Sequence, residues 1–169
     1  EYVNAPLMAK FNHLGEAQSI RGLAQYTEEV RDRFINLAIS YNINIITGSM
    51  PYVKEDGGLY NVGFLVRRDG TYEMYEKVHV TPDEIKSWGL SGGKMVQTFD
   101  TDCAKIGILI CYDVEFPELS RIMADQGMQI LFVPFLTDTQ NGYSRVRVCA
   151  QARAIENECF VAIAGSVGN

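Results

Sequence analysis

Three short apolar runs in the second half of the chain constrain its fold more than any other feature. They are Lys105-Ile-Gly-Ile-Leu-Ile110, Gln129-Ile-Leu-Phe-Val133 and Phe160-Val-Ala-Ile-Ala164. A strand that is apolar throughout, without alternation, is one covered on both faces. Between the first two runs, Pro117 stands at a first helical turn, Glu118 to Gln126 follows, and Gly127 supplies a stop. Between the second and third, residues 143 to 158 carry Val146, Cys149, Ala150 and Ile155 with several arginines, and are expected to form a helix. Strands alternating with helices define an α/β layer architecture.

The first half adds a hairpin. Leu59 to Val66 and Thr71 to Lys77 read as strands joined at Asp69-Gly70, so the sheet is expected to be mixed. Ile43 to Thr47 reads as a buried strand stopped by Gly48 and Pro51, and Asp56-Gly57-Gly58 as a turn. Upstream, residues 1 to 18 are irregular, and a helix is expected from 19 to 42. Its stripe is Leu23, Tyr26, Val30, Phe34, Leu37 and Tyr41, with Arg31, Asp32 and Arg33 facing water. Thr27 before Glu28 and Glu29 suggests a cap of its last segment, and Asn42 an end. Residues 78 to 94 are expected as a loop, and Met95 to Phe99 as a further strand. The 169 residues suit one domain. Neither end looks like a natural terminus, and the chain reads as a piece of a longer protein.

Composition narrows the classes of function. Fifteen basic against twenty-one acidic residues leave a net charge of -6, which argues against a nucleic-acid or anionic-membrane partner. No apolar run approaches the roughly eighteen residues of a membrane-spanning helix. Cys103, Cys111, Cys149 and Cys159 are too few and too irregular for a disulfide framework, so a reducing, cytoplasmic setting is expected. The isolated His13 and His79 and the scattered cysteines do not have zinc-ligand spacing.

Cys111 is the first candidate for chemistry. An apolar strand delivers it to the polar stretch Tyr112-Asp-Val-Glu-Phe-Pro-Glu118, just ahead of a helix. Nucleophiles are commonly presented there, with backbone N–H groups near the attacking atom. A buried structural cysteine satisfies the same pattern. Lys77 ends a strand; a cation beside a thiol lowers its pKa and stabilises developing negative charge, whereas an ordinary strand-end lysine is solvated. Glu84, seven residues on, is a possible partner for it. His79 is better placed than His13 to act as a base, and both have a structural or surface reading. Arg121, Arg145, Arg147 and Arg153 invite an anion site. Residues 145, 149 and 153 share a helical face, and burial of that face would force its arginines to pair, with Glu156 or Glu118 as partners.

The segments Tyr75-Glu-Lys-Val-His79, Ile110-Cys-Tyr-Asp-Val-Glu-Phe-Pro-Glu118 and Ala152-Arg-Ala-Ile-Glu-Asn157, with Ile46-Thr-Gly-Ser49 and Leu59-Tyr-Asn61, resemble the carbon–nitrogen hydrolase family, the nitrilase superfamily, over the whole length. The resemblance implies a four-layer α-β-β-α sandwich, here a partial domain spanning 1–169. It implies a Glu-Lys-Cys triad falling on Glu1, Lys77 and Cys111, with Glu84 holding the lysine and the Tyr112 N–H aiding the oxyanion. No metal or organic cofactor is implied. Tyr112-Asp113 stands where nitrile-cleaving relatives carry Trp-Glu, which favours a small amide or N-carbamoyl substrate. Pro134 to Arg147 resembles a subgroup sometimes fused to an N-acetyltransferase domain. Asp138, Arg145 and Arg147 become candidates for the acyl pocket, and a homodimer or larger homo-oligomer is expected, the 143–158 helix contributing to its surface. An acyltransferase, a nitrilase or an inactive binding protein on the same fold are the alternatives.

Overall fold

A computed structural model describes residues 1–166; residues 167–169, the end of the expected domain, lie outside the described residues. The chain is α/β, with two separate sheets, each accompanied by helices, which are the components of an α-β-β-α sandwich. It divides into two units: Tyr2–Gly93, and Lys94–Asn169 together with Glu1.

In the first unit the expected irregular start contains a 3-10 turn, Ala5–Phe11, with Pro6 in its first positions. The single helix expected from 19 to 42 is two, α1 (Glu16–Ala24) and α2 (Thr27–Tyr41). The break is local: the N–H groups of Gln25 and Tyr26 turn back to the carbonyls of Gly22 and Leu23, tightening the last turn of α1. Thr27 caps nothing. It is fully buried and its hydroxyl donates to the Pro51 carbonyl at 2.6 Å. The break also shifts the phase of the stripe. Val30, Phe34, Ile35 and Ala38 pack on Met50, Val62, Phe64 and Val66, while Leu37 and Tyr41 face outward. Arg31 is not simply solvated, since its guanidinium lies over the Tyr72 ring at 4.9 Å. Asn42, in the left-handed region at φ 53°, ends α2 as expected.

The sheet of this unit centres on β3 (Leu59–Val66), flanked by β1 (Ile45–Ile46), β2 (Met50–Val53) and β4 (Tyr72–Glu76), all antiparallel to it, with β5 (Leu90–Ser91) parallel. The hairpin is present, with Val66 opposite Tyr72 and Gly70 at φ 88°. The sequence reading omits β2 because Pro51 looks like a stop. Pro51 instead pairs in register with Asn61, and β2 has β3 as its partner among the described strands, an edge position where a missing N–H is tolerated. The expected loop 78–94 contains a π-helical turn, Glu84–Trp88, and β5.

The second unit has β6 (Thr98–Asp100), β7 (Lys105–Ile108), β8 (Ile130–Phe135) and β9 (Phe160–Gly165) in that order. β7, β8 and β9 are parallel and β6 is antiparallel to β7; β9 is exposed along much of its length, so its apolar run is not covered on both faces as β7 is. The crossover helices are α3 (Pro117–Asp125), starting at Pro117 as read, and α4 (Gln140–Glu156). α4 begins three residues before the expected 143 because the Thr139 hydroxyl accepts the Gly142 N–H at 3.0 Å. Gly107 admits Met123 of α3 and Met128 of the following connection to β7: a Cβ there would lie 2.3 Å from the Met128 sulfur and 2.7 Å from that of Met123. Among the described residues no helix is long and apolar enough to cross a membrane.

Candidate active site

β7 and β8 run parallel, so their C-terminal ends lie at one edge of the sheet, the edge where open α/β sheets bind ligands. The chain beyond β7 is drawn along β8 for one more bond, Leu109 N–H to the Phe132 carbonyl at 3.0 Å, and then turns. Cys111 makes the turn. It opens a 3-10 helix, Cys111–Glu115, with φ at 47°, in the left-handed region that non-glycine residues seldom occupy. Such a backbone costs about 1–3 kcal/mol and persists only where its surroundings over-determine it. Asp113 supplies part of that determination: its carboxylate accepts the Ile110 N–H at 3.3 Å and its own N–H returns to the Ile110 carbonyl at 3.0 Å.

Leu136, the residue after β8, ties two expected site residues to one place. Its carbonyl lies 3.6 Å from the Cys111 sulfur, and its N–H donates to the Glu1 carboxylate at 3.3 Å. Cys111 and Glu1 are both buried, at 7% and 4% exposure. The second unit therefore brings together a thiol and a carboxylate far apart in the sequence, through the two polar groups of a single residue. This link leaves no trace in side-chain chemistry, because it is made by backbone.

The first unit holds the expected lysine and its partner. Lys77, just past β4 and 1% exposed, donates to both Glu84 carboxylate oxygens at 2.8 Å. Glu84, on the π-helical turn, also accepts from the Tyr2 hydroxyl and from the Thr81 N–H at 2.7 Å. Burial pushes the Glu84 carboxyl up, but the Lys77 charge and these hydrogen bonds outweigh it, and the net displacement is downward. A buried lysine is held as an ion pair by an acid seven residues away, and Tyr2, next to Glu1 in sequence, bonds the same acid. The sequence reading found the pair and missed Tyr2.

The remaining candidates separate. Arg145 is exposed and donates to Glu115 at 3.3 Å; Arg147 and Asp138 are exposed. Arg121 reaches the Glu156 carbonyl at 2.8 Å. Arg153 is 6% exposed and paired with Glu156 at 2.6 Å, so the 145–149–153 face is half buried with its arginines paired, and Glu115 takes the place expected for Glu118. Cys149 lies between them; burial and the Glu115 charge push its thiol up. Tyr112 is partly buried, His79 partly buried and His13 exposed. No disulfide joins the four cysteines, and among the described residues no group of three His, Cys, Asp or Glu is placed to hold a metal ion.

An α/β chain whose apolar parallel strand ends in a left-handed cysteine beside a buried carboxylate belongs to a recognisable class. Residues 5–169 match the carbon-nitrogen hydrolase family, and the chain is a member of that family, the nitrilase superfamily. It is 49% identical over its full length to the Probable hydrolase YhcX of Bacillus subtilis (strain 168), covering 33% of that protein. It is 32% identical to the Omega-amidase NIT2 of Homo sapiens, over 97% of this chain and 59% of that one. Among solved structures it resembles an amidase from Nesterenkonia sp., with a TM-score of 0.79 and 25% identity over 91% of this chain and 59% of the other. A variant of that amidase carries acrylamide added at its active-site cysteine. The chain thus spans between a third and three fifths of the length of these relatives.

Proposed function

We propose that the protein to which this chain belongs hydrolyses a small, non-peptide C–N bond through a thioester on Cys111, in a cytoplasmic setting. The observation that carries the reading is the pairing of a buried thiol and a buried carboxylate on Leu136, at the C-terminal edge of a parallel sheet. In this reading Glu1 accepts the Cys111 proton, and the thiolate attacks the carbonyl carbon of an amide. Lys77, ion-paired with Glu84, and the Tyr112 N–H are assigned to balance the charge that develops on the oxygen. Glu1 passes its proton to the leaving nitrogen, which departs as ammonia when the substrate is a primary amide. Water then gives Glu1 a proton as it attacks the thioester. Collapse releases the carboxylic acid, and the Glu1 proton returns to sulfur. The sum is one amide and one water to one acid and one ammonia.

Amides are favoured over nitriles by Tyr112-Asp113 and by relatives named as amidases, among them the Omega-amidase NIT2 and the Deaminated glutathione amidase of Synechocystis. Asp138, Arg145 and Arg147 remain proposed contributors to the acyl pocket, and self-association is expected of the whole protein. Ammonia release by the intact protein across ω-amides, N-carbamoyl amines and simple nitriles, with Cys111→Ala alongside, tests the reading. Release from amides or carbamoyl compounds that Cys111→Ala abolishes supports it. Release from nitriles alone, or turnover surviving in Cys111→Ala, overturns it.

A further inference from the structure

The backbone of Cys111 needs more than Asp113 to hold it. A 3-10 helix of five residues leaves its last carbonyls without partners of its own, and a left-handed residue at its start relaxes if the far end is loose. The far end is gripped from α4. The Arg153 Nε donates to the Val114 carbonyl at 2.9 Å, and one terminal nitrogen donates to the Glu115 carbonyl at 3.3 Å. The other terminal nitrogen is fixed by Glu156 at 2.6 Å. Two turns earlier on the same helical face, Arg145 reaches the Glu115 side chain. A planar guanidinium is suited to such a clamp because its donors diverge at fixed angles, and lysine cannot reproduce it.

We infer that Arg153 is a positioning residue for the nucleophile: its guanidinium locks the carbonyls of Val114 and Glu115 and so holds Cys111 in its left-handed conformation. The inference rests on Cys111 being the nucleophile. It goes beyond an anion-binding role, since all three directions of the fork are already taken by groups of this chain. Arg145 acts at the same residue from an exposed position, where an ion pair is weak, so its contribution is minor.

The intact protein is compared with its Arg153→Lys, Arg153→Met and Arg153→Gly forms by two measurements. Backbone hydrogen exchange over the segment Cys111–Phe116 reads the hold directly and is independent of any substrate. Exchange is expected to rise there at least tenfold in Arg153→Met, with α3 unchanged; unchanged exchange in the segment overturns the clamp. Kinetics on the amide that the wild type turns over best read the consequence. kcat is expected to fall about 10–100-fold with KM within about threefold, since a reacting group displaced by an ångström loses about that much. Arg153→Lys, the milder change should Arg153→Met fold poorly, is expected to show the same split. Millimolar guanidinium is expected to restore part of kcat in Arg153→Gly. A lowered melting temperature with kcat intact would make Arg153 only a structural tie and sink the positioning role. If Cys111→Ala is as active as the wild type, the thioester reading fails instead, and the exchange data still decide whether Arg153 holds the turn.

Discussion

Lys77 and Glu84 are the residues whose burial most needs an explanation, because an ammonium and a carboxylate at 1% and 5% exposure are stable only as partners. Glu84→Gln removes the carboxylate charge from this buried ion pair and is expected to cost about 3–5 kcal/mol in denaturant unfolding. Tyr2→Phe removes one hydrogen bond to the same carboxylate and should cost about 1–2 kcal/mol. The pair also sets a pH dependence. The folded Glu84 carboxyl titrates below its ordinary value of 4.5. Its stabilisation is therefore fully present above that value and is lost as pH falls through the lower folded one. Urea midpoints measured from pH 7 downward should show this loss in the wild type and a flatter profile in Glu84→Gln; parallel profiles would contradict the pairing.

At the scale of elements, what the sequence makes legible depends on whether a local rule meets a tertiary one. β3, the Asp69-Gly70 hairpin, the Pro117 start of α3 and the existence of the strands β7, β8 and β9 follow from residue type and run length alone. The break between α1 and α2 does not, because nothing in Gln25-Tyr26 forbids helix; the two segments pack on different clusters, Ile20 and Leu23 with Leu59, and Phe34 with Val62. β2 was hidden by Pro51 and the π-helical turn by a stretch without periodicity. Cys111, Lys77 and Glu84 are legible as candidates through side-chain identity, and the Lys77–Glu84 pair is present as read. The site was hidden where backbone carries it, in Leu136 and in the carbonyls held by Arg153. The sheet makes its own prediction at Gly63 in β3, where a Cβ would stand 2.1 Å from the Gly48 carbonyl and 2.3 Å from the Tyr75 ring. Gly63→Ala forces backbone apart and is expected to destabilise by about 3 kcal/mol, read as a shift of the denaturant midpoint with the slope unchanged.

For the whole molecule, family membership and the two-sheet α/β fold agree, and the proposed thioester mechanism draws on groups from separate parts of the chain. The parallel strands set Cys111 at a sheet edge and Glu1 contributes a buried carboxylate there, while in the other unit Lys77 is ion-paired with Glu84. The most direct test of this account is the mass of the protein caught during turnover. The intact protein, mixed with an amide from which it releases ammonia and quenched in acid within milliseconds to seconds, is digested and analysed by mass spectrometry. The account predicts the acyl group of that amide, less its nitrogen, on the peptide containing Cys111, and none in Cys111→Ala. Product formed at the normal rate with no acyl group on Cys111, or with the acyl group on another residue, would contradict it.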